Sequence, residues 1–284
     1  MSKNSPRRPL DRHASSSSGR RLLNQGILGA LATWMLRPGL ALAEDQLDRV
    51  LSRKRLRVAV PKEFPPFGFM KGNYPEGFDI SVARLLGTEL RVAVELVPVQ
   101  SADRIPYLLE DKVDLIVASL GKNPEREKQV DFSKVYAPLY LGVFGRPAAG
   151  KPMDFRGRTI GVSKGSVEES EAARQLPGAR LVGLENSRAI LEAYAKGEVD
   201  YIAAGNMVVE SIPDVGLRDQ TRRLFVLKDS PCYIGVRKGE PRLLARINKF
   251  IDEAGPLALT VNAMIWFKST FPADFYRQPD GKAP

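Results

Sequence analysis

Three stretches of the sequence carry groups suited to handling a small charged molecule. In SLGKNPERE, residues 119–127, Asn123 suits a helix cap and Pro124 the first helical position, which places Arg126 in the opening turn. A guanidinium held there can grip a carboxylate through two parallel hydrogen bonds. The neighbours Glu125, Glu127 and Lys128 suit a solvated helix face equally well. In SKGSVEE, residues 163–169, Ser166 and Glu169 have the spacing of a capping box. A helix opening through Lys164, Gly165, Ser166 and Val167 would offer free backbone N–H groups and its positive dipole end to an anion. The same pattern also describes an ordinary helix start. In FPPFGF, residues 64–69, two prolines stiffen a loop that carries three rings. Phe64 and Phe67 can wall a ligand or pack beneath their own loop.

Other chemistries lack the residues to run them. The single histidine, His13, lies in a leader-like segment: a basic stretch with Arg7, Arg8, Arg12, Arg20 and Arg21, an apolar run at 26–36, then Ala41-Leu42-Ala43. That order is that of a secretory signal, with cleavage expected after Ala43, and the apolar run is too short for a permanent membrane anchor. Arg20-Arg21 suits the twin-arginine route as well as the general one. Without the leader the chain has no histidine, which excludes Ser-His and Cys-His catalysis and histidine-containing zinc sites. Cys232 stands alone, so it forms no intrachain disulfide, and its apolar surroundings read as core. The pairs Glu168/Glu169 and Asp252/Glu253 read as solvated faces. No metal spacing, phosphate-binding glycine fingerprint or nucleophile elbow occurs, so no metal or cofactor is expected. The leader holds Lys3, Arg7, Arg8, Arg12, Arg20, Arg21 and Arg37 against Asp11, so its loss takes the formal charge from +10 down by six to +4. The basic character therefore gives no reason to invoke nucleic acid.

The elements that must position these groups follow from hydrophobic periodicity. Residues 57–60 read as a strand, 78–90 as a helix with Asp79 as its cap, 92–99 as a strand, 105–110 as a short helix and 113–118 as a buried strand. The pattern restarts with strands at 159–162, 179–184 and 199–204, and helices at 167–176 and 187–196. KVDLIVA at 112–118 echoes EVDYIAA at 198–204, which suggests two similar lobes. Strand–helix alternation implies parallel α/β sheets. The apolar stretches 140–144 and 232–236 read as two strands crossing between the lobes, and the helical pattern of 243–267 returns to the first lobe. The expected boundaries are 1–43 for the signal, 44–145 with 237–276 for the first lobe, 146–236 for the second, and 277–284 for a tail. Ligands of such sheets sit beyond the carboxyl ends of the strands. Phe64, Ser119, Gly121, Asn123 and Arg126 follow strands of the first half, and Lys164 to Val167, Gly205 and Asn206 follow strands of the second.

FPPFGF at 64–69, GFDI at 77–80 and PEREKQVDFS at 124–133 together resemble the family 3 bacterial extracellular solute-binding proteins, the periplasmic receptors of polar amino acid ABC transporters. GVSKGS at 161–166, GEVD at 197–200 and VRKG at 236–239 are similar to the family's later landmarks, so the resemblance runs from about residue 56 to 267. It implies a type II periplasmic-binding fold, two α/β lobes joined by two hinge strands. It also implies that Arg126 holds the ligand's α-carboxylate, that Phe64 covers the ligand, and that Ser166 lies in the segment completing the carboxylate site. The sequence departs from the family where an aspartate usually pairs with the ligand's α-amino group, since Gly205 stands there. Gly121, Asn123 and Val167 replace frequent hydroxyl residues, and Ser101 a frequent aromatic. The implied ligand is a small anionic or zwitterionic solute, a carboxylate-bearing metabolite that is amino acid-like or an organic acid, with α-amino recognition altered or lost.

The leading expectation is a periplasmic, monomeric receptor that hands its solute to the membrane permease of an ABC transporter. A dehydratase of prephenate-like substrates on the same fold is an alternative, with Glu168 the one nameable general acid. A ligand-sensing accessory protein is another.

Overall fold

The computed structural model describes residues 45–147, 154–209, 212 and 215–268. The expected signal, its cleavage point and the tail at 277–284 lie outside the described residues.

Two five-stranded sheets organise the chain. In the first, β1 (Arg55–Pro61) lies between β5 (Ala93–Val99) and β6 (Leu115–Leu120), parallel to both. β13 (Cys232–Arg237) and β7 (Val130–Ala137) extend that sheet antiparallel beyond β6. In the second, β9 (Thr159–Ser163) lies between β10 (Arg180–Leu184) and β11 (Tyr201–Gly205), again parallel to both. β8 (Tyr140–Gly145) and β12 (Arg222–Asp229) complete it antiparallel. The orders β5-β1-β6-β13-β7 and β10-β9-β11-β8-β12 follow one plan. Three parallel strands buried on both faces explain why β6 reads as an unbroken apolar run instead of alternating.

The echoed segments hold equivalent places. Asp114, just before β6, accepts the Arg57 N–H at 2.7 Å, and Asp200, just before β11, accepts the Thr159 N–H at 2.8 Å. Each aspartate ties the third strand of its sheet to the start of the central one. Asp114 is buried beside Gln46, Arg53 and Arg57, and Gln46 belongs to α1 (Gln46–Ser52).

The crossing strands differ from the expectation. Residues 140–144 belong wholly to the second sheet and 232–236 wholly to the first. The chain passes between sheets at Pro138-Leu139 and again at Ser230-Pro231, where the Ser230 N–H donates to Leu139 O at 2.9 Å. Boundaries at 145/146 and 236/237 therefore fall one strand beyond the points where the sheets change. Apolar periodicity marks a strand without saying which sheet takes it.

Helices pack on these sheets: α2 (Phe78–Leu90) and α3 (Arg104–Leu109) on the first, α5 (Val167–Gln175) and α6 (Ser187–Ala195) on the second. The short α4 (Pro124–Glu127) follows β6, while α7 (Asn206–Val209) and α8 (Val215–Gln220) follow β11. The return segment is α9 (Pro241–Ala254), a π-helical stretch at Gly255–Leu259, and α10 (Thr260–Phe267), so the helical pattern runs through the whole segment and only widens at Gly255-Pro256. FPPFGF is not a plain loop. It supplies β2 (Glu63–Phe64) and β3 (Gly68–Lys71), which pair with β4 (Tyr74–Glu76) in a small separate sheet.

Candidate functional site

Arg126 occupies the place its sequence context sets. The Asn123 side chain caps α4 by accepting the Arg126 N–H at 2.8 Å, with Pro124 at the first helical position. The guanidinium is buried, not on a solvated face. Its Nη1 donates to Gly121 O at 2.9 Å and its Nη2 to Gly165 O at 2.9 Å. Gly121 belongs to the first lobe and Gly165 to the second, so this side chain spans the cleft. Burial lowers its pKa to about 10; repulsion from Arg104 acts in the same direction and Glu168 opposes it.

The facing helix opens as its sequence suggests. Ser166 Oγ accepts the Glu169 N–H at 3.1 Å. Glu169 reaches back to the N–H of Gly165 at 2.8 Å, one residue before the cap. Gly165 has φ +70°, and a β-carbon on it would come 2.8 Å from Ala102 Cα in the other lobe. Two further contacts tie the rims: Arg188 Nε donates to Glu63 at 2.9 Å, and Gln100 Nε2 to Glu185 at 2.7 Å. Two cavities of about 20 Å³ each, room for about one water apiece, lie in the cleft. A larger solute enters only when the lobes part.

Phe64, Ser119, Gly121, Arg126, Ser166 and Val167 converge on the central cavity. Phe67 does not: it is fully buried, stacked on Phe64 at 5.4 Å and packed against Phe78 and Phe267. Asn123 positions Arg126 through its backbone. Lys164 is exposed and lays its stem along Gly183. Asn206 turns to the Tyr140 N–H at 3.2 Å, towards β8. At Gly205 a β-carbon would meet Leu139 Cδ1 at 2.9 Å and Phe64 Cζ at 3.3 Å, so apolar groups already occupy the space in front of it.

The burial of several residues at or behind the cleft is not legible in the sequence. Glu168 is buried against the central cavity, not part of a solvated pair, because the first turn of α5 faces the other lobe. The cleft therefore does hold a carboxylate despite Gly205. Arg104 is buried and borders both cavities. Its Nε donates to Ser101 O at 3.0 Å and its Nη1 to Ala118 O at 2.7 Å, and burial lowers its pKa. Asp79 does not cap α2, whose cap position is Gly77. It sits fully buried, accepting the Ser119 hydroxyl at 2.7 Å and the Tyr136 hydroxyl at 2.7 Å. Burial pushes its pKa up to about 7, against those hydrogen bonds. Ser119, at φ +46°, thus spends its hydroxyl proton on Asp79. Nothing in local periodicity separates such residues from helix surface: the opposite lobe covers Arg104 and Glu168, and Ser119 and Tyr136 of its own sheet take Asp79. Among the described residues no group of His, Cys, Asp and Glu is placed to hold a metal, and no helix is long and apolar enough to cross a membrane.

Two sheets of one topology, linked by two chain crossings and closing on buried arginines, define a two-lobed ligand clamp. The model of the bacterial extracellular solute-binding proteins, family 3, matches residues 56–255, and the chain belongs to that family. It is 30% identical to an ABC transporter glutamine-binding protein of Bacillus subtilis over 61% of this chain and 65% of that one. It is 28% identical to the cyclohexadienyl dehydratase of Pseudomonas aeruginosa over 55% of this chain and 61% of that one. The chain thus spans less than two thirds of the length of either. Among solved structures, an ancestral amino acid-binding protein described as a precursor of cyclohexadienyl dehydratase superposes with a TM-score of 0.71 at 26% identity, covering 78% of this chain and 99% of that one.

Proposed function

We propose that this chain is an exported, periplasmic receptor, released by cleavage after Ala43, that captures a small carboxylate-bearing solute between its lobes and presents it to the permease of an ABC transporter. The observation that carries the reading is the Arg126 guanidinium, buried in the cleft and hydrogen-bonded to one carbonyl of each lobe. A carboxylate bound by that fork is gripped only when the lobes approach, which couples occupancy to closure. The apolar surroundings of Gly205 support a solute whose amino group, if it has one, is recognised elsewhere. The test is calorimetry with a panel of organic acids and amino acids, wild type against Arg126→Ala. Micromolar binding lost in the variant is expected; equal affinities in both proteins overturn the reading.

One observation favours a second reading. Glu168 is a buried carboxyl group beside the guanidiniums, placed as a general acid for eliminating water from a carboxylate substrate would be. The dehydratase relative gives this reading its substrate class. Incubation with prephenate or arogenate, followed for aromatic product, decides between turnover and mere capture.

A further inference from the structure

A further cavity, of about 420 Å³, opens on the second lobe and shares no lining residue with either cavity of the cleft. Its volume is that of a small-molecule site, whereas each cleft cavity holds about one water. It lies between β8, α7, α8 and the first residues of β12. Asn206, expected at the cleft, lines this cavity instead, with its side chain accepting the Tyr140 N–H at 3.2 Å.

The lining divides into two kinds of group. Phe144 and Val209 are buried and Met207 half-buried, which gives the cavity an apolar base. Arg218, Arg222 and Arg223 bring guanidiniums to it from α8 and β12. The Arg223 guanidinium lies over the Tyr140 ring, 5.5 Å from its centroid. Arg222 Nη1 turns back to donate to Thr221 O at 3.2 Å, a neutral acceptor. Asp219 is the one carboxylate among the described lining residues, and it stands 3.9 Å from Arg218. Three cations thus face one anion, and Arg222 and Arg223 make no ion pair among the described residues. Exposed arginines on an open face are merely solvated. Around an apolar recess they select an occupant with two properties, a negative group for the guanidinium forks and a flat apolar body for the base and the Tyr140 ring. An inorganic anion leaves the base uncovered, and a neutral ring leaves the arginines without a counter-charge.

We propose that the second lobe carries a separate binding site, between α7, α8 and β12, for a small aromatic carboxylate. The site does not depend on the reading of the cleft, since Arg126 and its partners take no part in it.

The test uses 2-naphthoate as the anion and 2-naphthalenemethanol as its neutral counterpart, titrated by calorimetry into the full chain as exported. The naphthoate is expected to bind with a Kd below about 1 mM and at least about tenfold more tightly than the alcohol. In the double variant Arg222→Gln/Arg223→Gln its binding should weaken at least about tenfold, the equivalent of one charge-assisted hydrogen bond. In Arg126→Ala, which removes the carboxylate grip of the cleft, its Kd should stay within about twofold of wild type. Binding lost in Arg126→Ala puts the probe in the cleft and overturns the proposal. So does a wild-type Kd in the folded double variant, an alcohol that binds as tightly as the acid, or no binding at about 1 mM. If the double variant does not fold, Arg218→Gln on α8 replaces it: weakening of at least about threefold supports the site, and an unchanged Kd overturns it.

Discussion

Arg126 and Gly165 lie in different lobes, and a hydrogen bond of 2.9 Å from the guanidinium Nη2 to the glycine carbonyl joins them. The contact makes one side chain both a ligand group and a latch. Its geometry depends on the planar fork, since Nη1 is held at the same time by Gly121 O. Lysine keeps the charge but presents a single rotating ammonium. Arg126→Lys is expected to lose about one charge-assisted hydrogen bond, roughly 1.5–3 kcal/mol, or about ten- to hundred-fold in Kd. Calorimetry with the tightest ligand found in the panel checks this, and an unchanged Kd would contradict the fork.

Gly165 meets two demands at once. Its φ of +70° suits glycine, and an added β-carbon would lie 2.8 Å from the backbone of Ala102 across the cleft. The backbone penalty acts in both the open and the closed form and is about 1–2 kcal/mol. The clash exists only when the lobes meet. Gly165→Ala is therefore expected to melt a few degrees lower but to bind ligand at least about tenfold more weakly. Its radius of gyration in small-angle scattering should remain at the open value when ligand is added. Ligand-induced compaction equal to that of the wild type would show that the lobes do not approach this closely.

Much of this architecture was legible in the sequence, and the reasons are local. Buried parallel strands and capped helices leave periodic marks, so 57–60, 78–90, 92–99 and 187–196 fall on observed elements. The Val-Asp echo is legible because both copies do the same job, an aspartate tying the third strand to the start of the central one. Asn123, Pro124 and Ser166 were readable as caps because capping depends on residues within one turn. Long-range relationships were not readable. β8 and β13 have the composition of any apolar strand, and pairing across the chain assigns each to its sheet. Asp79 has the sequence position of a helix cap, yet the Ser119 and Tyr136 hydroxyls, 40 and 57 residues away, draw it into the core. Arg104 and Glu168 look like surface residues until the opposite lobe covers them.

Asp79 gives the fold a pH dependence of definite sign. Its carboxyl group has an ordinary pKa of 3.8, raised in the fold to about 7 mainly by burial. The folded state thus holds the proton more tightly than the unfolded state. Stability from this group is complete below about pH 4 and is lost as pH rises through about 7, after which both states are ionised. At about 1.36 kcal/mol per pH unit, the loss is on the order of 4 kcal/mol. Urea midpoints at intervals between these limits should fall with rising pH in the wild type. Asp79→Asn removes this contribution and flattens the curve. A slope that persists unchanged in Asp79→Asn would assign it to other groups.

Glu168 separates the two functional readings through one substitution. Its carboxyl group borders the central cavity beside two guanidiniums, so neutralising it alters the field at the ligand whatever the protein does. In a receptor for an organic acid, Glu168 repels the ligand, and Glu168→Gln should tighten binding several-fold. In a receptor for an amino acid, the carboxylate faces the ammonium, and the same change should weaken binding about tenfold or more. Both outcomes leave a protein that only binds. In a dehydratase, Glu168→Gln should abolish formation of aromatic product while the substrate still binds, because glutamine retains the shape of the side chain without an acidic proton. Titration and product assay on the one variant, beside the wild type, therefore yield three distinguishable results. Unchanged affinity together with unchanged turnover would mean that Glu168 does not reach the ligand and that the buried carboxyl group serves the closure of the lobes alone.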